Sequence, residues 1–178
     1  MNVIKYLKMM AISLVISINW IEVSVAQNLI TSERWVYLAD TVMGGVSEGS
    51  ANIIDTPEGK AIKLFGKVST QNNGGFIQAR TRVNFKANQY KGIRIKIRGN
   101  ENEYYIHLRT PRTMPWNYFS AKFYASEDWQ IIDLPLSAFS YSRNPNKGLD
   151  SSRIRALGIV AYGKDFDARL DIANIEFY

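Results

Sequence analysis

His107 is the only histidine in the chain, and there is no cysteine. Those two facts remove thiolate nucleophiles, disulfide frameworks and multi-histidine metal centres. Nucleophilic chemistry would then need a serine activated by His107 and a carboxylate. Ser47 is the conspicuous serine, closing the stretch Asp40-Thr41-Val42-Met43-Gly44-Gly45-Val46-Ser47. No nucleophile-elbow motif surrounds it, and His107 sits mid-strand between Tyr105 and Arg109, so a serine hydrolase has no support. A glycine pair near a serine also suggests a backbone cradle for an anion. The stretch lacks the lysine and the following helix of a phosphate loop, and Ser47-Glu48-Gly49-Ser50 leads towards a strand. It reads instead as a bend, with glycines where a side chain would clash and with Asp40 and Ser47 hydrogen-bonding the turn. Gln71-Asn72-Asn73-Gly74-Gly75 reads as a second bend, and two such bends in adjacent strands would let a sheet curve sharply, with Asp40 capping backbone N–H groups. Asp165, Asp167 and Asp171 offer oxygen ligands for a calcium ion, but a solvated turn explains them as well. No carboxylate pair is singled out by spacing for glycoside hydrolysis. The expectation is a protein that is not an enzyme and that carries no metal or cofactor.

Binding gives a better signal than catalysis. Tyr104–Arg109 alternates Tyr104, Ile106 and Leu108 with Tyr105, His107 and Arg109. Tyr118–Ala125 alternates Phe119, Ala121 and Phe123 with Tyr118, Ser120, Lys122 and Tyr124. If the two strands are neighbours, Tyr105, His107, Arg109, Tyr118, Lys122 and Tyr124 share an outward face. The loop 111–117 adds Trp116, which Met114-Pro115 would hold exposed. Aromatic rings with polar donors between them suit the apolar faces of sugars. Tyr, Trp and Arg are equally the usual anchors of protein interfaces. Both partners stay open on the residues alone.

Period-two alternation builds the rest. Phe76–Phe85 sets Ile77, Ala79, Val83 and Phe85 against Gln78, Arg80, Arg82 and Asn84, and Gly92–Gly99 sets Ile93, Ile95 and Ile97 against Arg94, Lys96 and Arg98. The five basic residues among these would form a patch away from the aromatic face, or shield strands against aggregation. A hairpin is expected around Thr56-Pro57-Glu58-Gly59. Trp129–Leu134 and Leu157–Tyr162 read as strands buried on both sides, and Ala168–Tyr178 as a last strand with a bulge near Ala173-Asn174. The only helical candidates are short pieces, such as Pro135–Phe139 and Ser151–Arg155. Many short strands between Gly, Pro and Asn turns predict an all-β antiparallel sandwich.

Residues 1–26 stand apart from that pattern. Lys5 and Lys8 precede an uncharged run from Met9 to Ile21, and Ser24-Val25-Ala26 places small residues before Gln27. This is the layout of a signal peptide, too short in its apolar run for a spanning helix, so an exported, periplasmic or secreted protein is expected. Residues 27–178 then form one domain, with 20 basic against 15 acidic residues once Lys5, Lys8 and Glu22 are removed. That mild excess without a dense basic run argues against a nucleic-acid partner.

Read in order, these segments resemble the complex I intermediate-associated protein 30 family. The resemblance runs from Trp35 through Asp40-Thr41-Val42-Met43-Gly44-Gly45-Val46-Ser47, then Gly66, Asn73-Gly74-Gly75-Phe76, and Gly92 through Arg98-Gly99. It continues with Tyr104, Leu108-Arg109-Thr110, Phe123, Trp129, Leu134-Pro135 and Phe139. The resemblance implies a galactose-binding-like jelly roll without catalytic residues. It also implies protein partners, because mitochondrial members of that family are assembly chaperones of respiratory complex I. This chain departs from them in carrying an export-type N-terminus. The leading expectation is therefore an exported assembly factor or binding domain for a membrane or envelope complex, and the alternative is a carbohydrate-binding module.

Overall fold

Ile93, Ile95 and Ile97 are fully buried while Arg94, Lys96 and Arg98 between them are only partly covered, so the alternation sets which side of the strand meets the core. The same rule orders nearly the whole chain in the computed structural model, which describes residues 27–111, 114 and 116–178. The signal-peptide segment 1–26 lies outside the described residues. A one-turn helix α1 (Leu29–Ser32) comes first, its end capped by Asn28, whose Oδ1 accepts the Ile30 N–H at 3.0 Å. Eleven strands follow: β1 (Val36–Ala39), β2 (Glu48–Thr56), β3 (Gly59–Val68), β4 (Phe76–Arg82), β5 (Gly92–Arg98), β6 (Asn102–Arg109), β7 (Phe119–Ala125), β8 (Gln130–Pro135), β9 (Ser140–Tyr141), β10 (Ala156–Tyr162) and β11 (Phe166–Phe177). All pair antiparallel, in a six-stranded sheet β1-β4-β10-β6-β7-β9 and a five-stranded sheet β2-β3-β11-β5-β8. This is the antiparallel sandwich that the alternation predicts.

Between the sheets lies one core. Ile62, Leu64, Ile93, Ile95, Ile97, Leu170, Ile172 and Ile175 of the five-stranded sheet belong to the same buried cluster as Ile77, Ile106, Leu108, Leu157 and Ile159 of the other. Each such side chain contributes about 1.5–3 kcal/mol on burial. Tyr104 ties the layers by hydrogen bonds as well. Its hydroxyl on β6 accepts from the Arg169 N–H on β11 at 2.9 Å and donates to Asn100 Oδ1 at 2.6 Å. Burial pushes that hydroxyl up to about 12.

Several expectations hold in detail. The β2–β3 hairpin turns at Pro57-Glu58, with Thr56 opposite Gly59. The β11 register shifts between Ile172 and Asn174, where the alternation slips. Single 3₁₀ turns stand at Leu136–Ala138 and Ser151–Arg153. β10 is covered on both faces, with Leu157, Ile159 and Ala161 in the core and Gly158 and Val160 buried on the outer side.

Others are corrected. The segment read as Trp129–Leu134 and buried on both sides is β8, the edge of its sheet, with Ile131 64% exposed. An apolar run alone does not separate an edge from a centre. The five basic residues do not form one patch. Arg80 and Arg82 lie on β4 of the six-stranded sheet, whereas Arg94, Lys96 and Arg98 lie on β5 of the other. There Arg94 forks onto Asp133 at 2.7 and 2.8 Å, Arg98 meets Asp171 at 2.9 Å, and Lys96 pairs with Glu58. The three aspartates do not converge either. Asp165 accepts from Thr70 N and Oγ1 at 2.6 and 2.7 Å, Asp171 holds Arg98, and no group of three metal-ligating side chains occurs among the described residues.

Candidate binding site

Asp40 follows β1 at the start of a 3₁₀ turn that ends at Met43, and its side chain is completely buried. Its Oδ1 accepts the Ser47 N–H at 2.9 Å. Its Oδ2 accepts the Ser47 hydroxyl and the Gly75 N–H, both at 2.5 Å, and the Phe76 N–H at 3.1 Å. The Ser47 Oγ in turn accepts from Ser69 N at 2.9 Å. Burial works to raise the Asp40 pKa, but the donors from Gly75, Ser47 and Phe76 outweigh it and the carboxyl is held below its ordinary value. One carboxylate therefore ties both glycine bends together, as the capping role read for Asp40 requires.

The glycines have a more specific reason than a sharply curved sheet. A methyl at Gly45 would stand 2.3 Å from the Asp40 carboxyl carbon, and one at Gly74 would stand 2.5 Å from Oδ2. They leave room for the carboxylate. Gly44, at φ 91°, and Gly75, at φ 122°, supply the left-handed turns around it. The tie fixes Val42 and Met43 beside Asn73 and Gly74, along one rim of a cleft of about 460 Å³.

The floor of that cleft is the outer face of β1, β4, β10 and β6. Register aligns Leu38, Gln78, Val160 and Tyr105 in one row, and Val36, Arg80, Gly158 and His107 in the next. Gly158 leaves space there, since a methyl would approach Gln78 Oε1 to 2.9 Å. His107 is buried, its ring stacked on Tyr118 at 3.7 Å and 9°. Burial, helped by Arg109, pulls its pKa down to about 3, so the imidazole is neutral at neutral pH. Its Nε2 and Gln78 Oε1 are buried without a hydrogen-bond partner among the described residues. Buried polar atoms without partners are uncommon, and two of them on one cleft floor are what a hydrogen-bonding ligand would satisfy.

Arg109 Nη1 donates to the Asn117 carbonyl at 3.2 Å, and burial together with nearby Arg80 lowers the guanidinium pKa from its ordinary value. Tyr118 is raised by burial and by its hydrogen bond with Tyr162. Trp116, 50% exposed, also lines the cleft, as do Val42 (68%) and Met43 (62%). Among the described residues that line it, none is acidic. The arrangement offers ring faces, hydrogen-bonding groups and positive charge, and no acid–base pair.

Of the residues predicted from sequence, His107, Arg109, Trp116 and Tyr118 line this cleft together with Met43, Asn73, Gly74 and Phe76 of the glycine bends. Tyr105 stands next to them, its ring 5.9 Å from Tyr162. Asp40, Gly44, Gly45, Ser47 and Gly75 are not lining residues and hold the rim in place. Lys122 and Tyr124 share the outward face but leave the cleft, turning to Glu103 at 2.7 Å and to Glu101. Sequence reasoning missed Leu38, Gln78, Arg80, Val160 and Tyr162 as site residues. Gln78 and Arg80 carried a signal in the polar phase of the β4 alternation. The β10 residues carried none, because that strand is apolar in both phases.

A family model described as Complex I intermediate-associated protein 30 matches residues 24–172. No curated protein matches the chain. Among solved structures, the chain is similar to the family 11 carbohydrate-binding module of a cellulosomal cellulase from Clostridium thermocellum, at TM-score 0.67 and 16% identity over 85% of this chain and 93% of that one. A structure of that module in complex with a β-1,3-1,4-mixed-linked tetrasaccharide gives TM-score 0.63 and 15% identity, covering 80% and 87% of the two chains. A family 30 carbohydrate-binding module gives TM-score 0.59 and 13% identity, covering 79% and 80%. At these identities the likeness is one of fold.

Proposed function

We propose, from the premise that this chain belongs to the complex I intermediate-associated protein 30 family, that it is a non-catalytic binding domain that takes a segment of a protein partner into the cleft beside Asp40 and so serves assembly of a larger complex. The observation that carries this is the pair of opposed features at that cleft. Exposed Val42, Met43 and Trp116 stand around it, and unpartnered polar atoms of His107 and Gln78 lie beneath. Met, Trp, Tyr and Arg are enriched in protein interfaces, and exposed aliphatic side chains beside a polar cleft suit a peptide segment. The layout of residues 1–26 adds the proposal that the partner is met outside the cytoplasm, at a membrane or envelope complex. N-terminal sequencing of the protein from its cells should then begin at Gln27.

The test is a crosslinked pull-down of tagged full-length protein from its native cells, compared with Trp116→Ala and Met43→Ser. Both side chains are exposed, so neither change should disturb the fold. A defined set of membrane or envelope proteins, depleted by either substitution, is the expected result. Partners retained in full by both variants would sink the proposal.

A carbohydrate ligand is the second reading. Its support is the stacked His107–Tyr118 pair with Tyr162, next to the unpartnered ring nitrogen and amide oxygen. The same mixed-linkage tetrasaccharide found in the family 11 module would be the probe. Quenching of tryptophan fluorescence that disappears in Trp116→Ala would favour this reading.

A further inference from the structure

Arg80 belongs to two depressions at once. On one side it lines the cleft just described, and on the other a groove of about 880 Å³ formed by Arg34, Arg82, Asn84, Arg155 and their neighbours. Arg80 and Arg82 lie two residues apart on one face of β4, about 7 Å along the strand. Arg82 and Arg109 both lie opposite Ala156 in the register, so they stand about 10 Å apart across β10. Cleft and groove therefore form one continuous track with five arginines, Arg34, Arg80, Arg82, Arg109 and Arg155, against a single carboxylate, Glu33. Glu33 is engaged by Asn84 Nδ2 at 3.3 Å.

Two contrasts show that these arginines are not ordinary surface charge. The cations of β5, in the opposite sheet, are neutralised within the fold, Arg94 by Asp133, Lys96 by Glu58 and Arg98 by Asp171. Arg34, Arg80 and Arg82 form no ion pair among the described residues. Nor does Arg80 guard a sheet edge against aggregation, because it pairs with Val36 of β1 on one side and Gly158 of β10 on the other. Arg80 is close enough to Arg109 to lower its pKa by repulsion.

We infer that the partner segment taken by the cleft is acidic, with Asp or Glu side chains that pair with Arg80 and Arg82 and apolar side chains that meet Val42, Met43 and Trp116. The inference rests on the protein-partner reading above and specifies its chemistry. Charge complementarity selects carboxylates, and the aliphatic rim selects a polypeptide over a sugar chain. Guanidinium forks bind carboxylates in bidentate geometry, so several arginines in a row read an acidic stretch, not a lone charge.

A random dodecapeptide library displayed on phage, selected against the full-length protein at low salt, tests this. Recovered peptides should be rich in Asp and Glu beside apolar residues. Synthetic copies of them should bind about 3- to 10-fold more weakly to Arg80→Gln or to Arg82→Gln, as loss of one exposed charge pair predicts. Raising the salt to about 0.5 M should shrink that difference, because screening removes the interaction it measures. Arg94→Gln, on the opposite sheet, should leave binding unchanged. Peptides that depend on Trp116 but show no acidic bias would overturn this inference and leave the protein-partner reading standing. A selection that enriches nothing, while tetragalacturonate binds and loses affinity in Arg80→Gln, would overturn both and make an acidic glycan the occupant.

Discussion

Removing the Asp40 side chain should lower the cost of a glycine substitution that its carboxylate opposes. Asp40→Ala strips the acceptor from three backbone N–H groups, those of Ser47, Gly75 and Phe76, and from the Ser47 hydroxyl. A buried donor left without a partner costs about 1–3 kcal/mol. Water entering the space beside Gly45 and Gly74 offsets part of that, so the net loss should be about 4–6 kcal/mol, a large share of an ordinary domain's stability. Gly45→Ala places a methyl 2.3 Å from the Asp40 carboxyl carbon and should expel the carboxylate, at about 3–5 kcal/mol. In the Asp40→Ala background the carboxyl atoms are gone but the methyl still stands 2.7 Å from the β-carbon of residue 40, and the second substitution should cost about 1–2 kcal/mol. The coupling is therefore roughly 2–3 kcal/mol in favour of the double variant. Gly44→Ala is the control: its methyl would have no atom within 4 Å, and its φ of 91° predicts about 1 kcal/mol in either background. Urea midpoints at constant slope would be read by tryptophan fluorescence, with an osmolyte added to keep the weakest variants folded. Equal costs of Gly45→Ala in the two backgrounds would refute the reasoning, because the glycine would then serve the backbone alone.

Three further outcomes are expected. Tyr104→Phe should cost about 1–3 kcal/mol and speed hydrogen exchange at the Arg169 amide, which loses its acceptor. Stability should fall as pH drops from the ordinary histidine value of 6.5 towards 3, because the unfolded chain takes a proton that buried His107 refuses. The slope should be roughly 1 kcal/mol per pH unit, and comparing His107→Gln with the native protein at pH 7 and pH 5 isolates it. Asp40 acts lower down: its depressed pKa gives stability that is present above the unfolded value of 3.8 and lost as pH falls through the folded one. Ile131→Lys, on the exposed edge of β8, should change stability by less than about 0.5 kcal/mol and reduce aggregation on heating, measured by light scattering.

The residues that alternate were the legible ones. Ile93, Ile95 and Ile97 announce a core face, and Tyr105, His107 and Arg109 an outward one, because the pleat has a period of two whatever the sheet does elsewhere. The Asp40–Ser47 bend was legible as hydrogen-bonded structure, since a short carboxylate beside glycines has few other uses. Its second half was not, because nothing in Asn73-Gly74-Gly75-Phe76 says that its amides reach a carboxylate 35 residues earlier. Strand order was equally hidden. β4 lies beside β10 only through pairing across more than 70 residues, and that pairing is what sets Gln78 and Arg80 next to His107 through Gly158. Whether an apolar strand is central or an edge depends on neighbours that the segment does not encode, which is why β8 and β10 read alike and fold differently.

The position of β11 has a consequence for how the molecule is made. It is the last strand in sequence, yet it lies in the middle of its sheet, between β3 and β5. Until residues 166–177 leave the ribosome, the β2–β3 hairpin and the β5–β8 pair have no strand to join them, and Tyr104 has no Arg169 amide to bind. Such long-range closure is slow, and it comes after the other ten strands have been synthesised. The core of residues 27–178 therefore stays incomplete until β11 has been made, and its closure is a single late step.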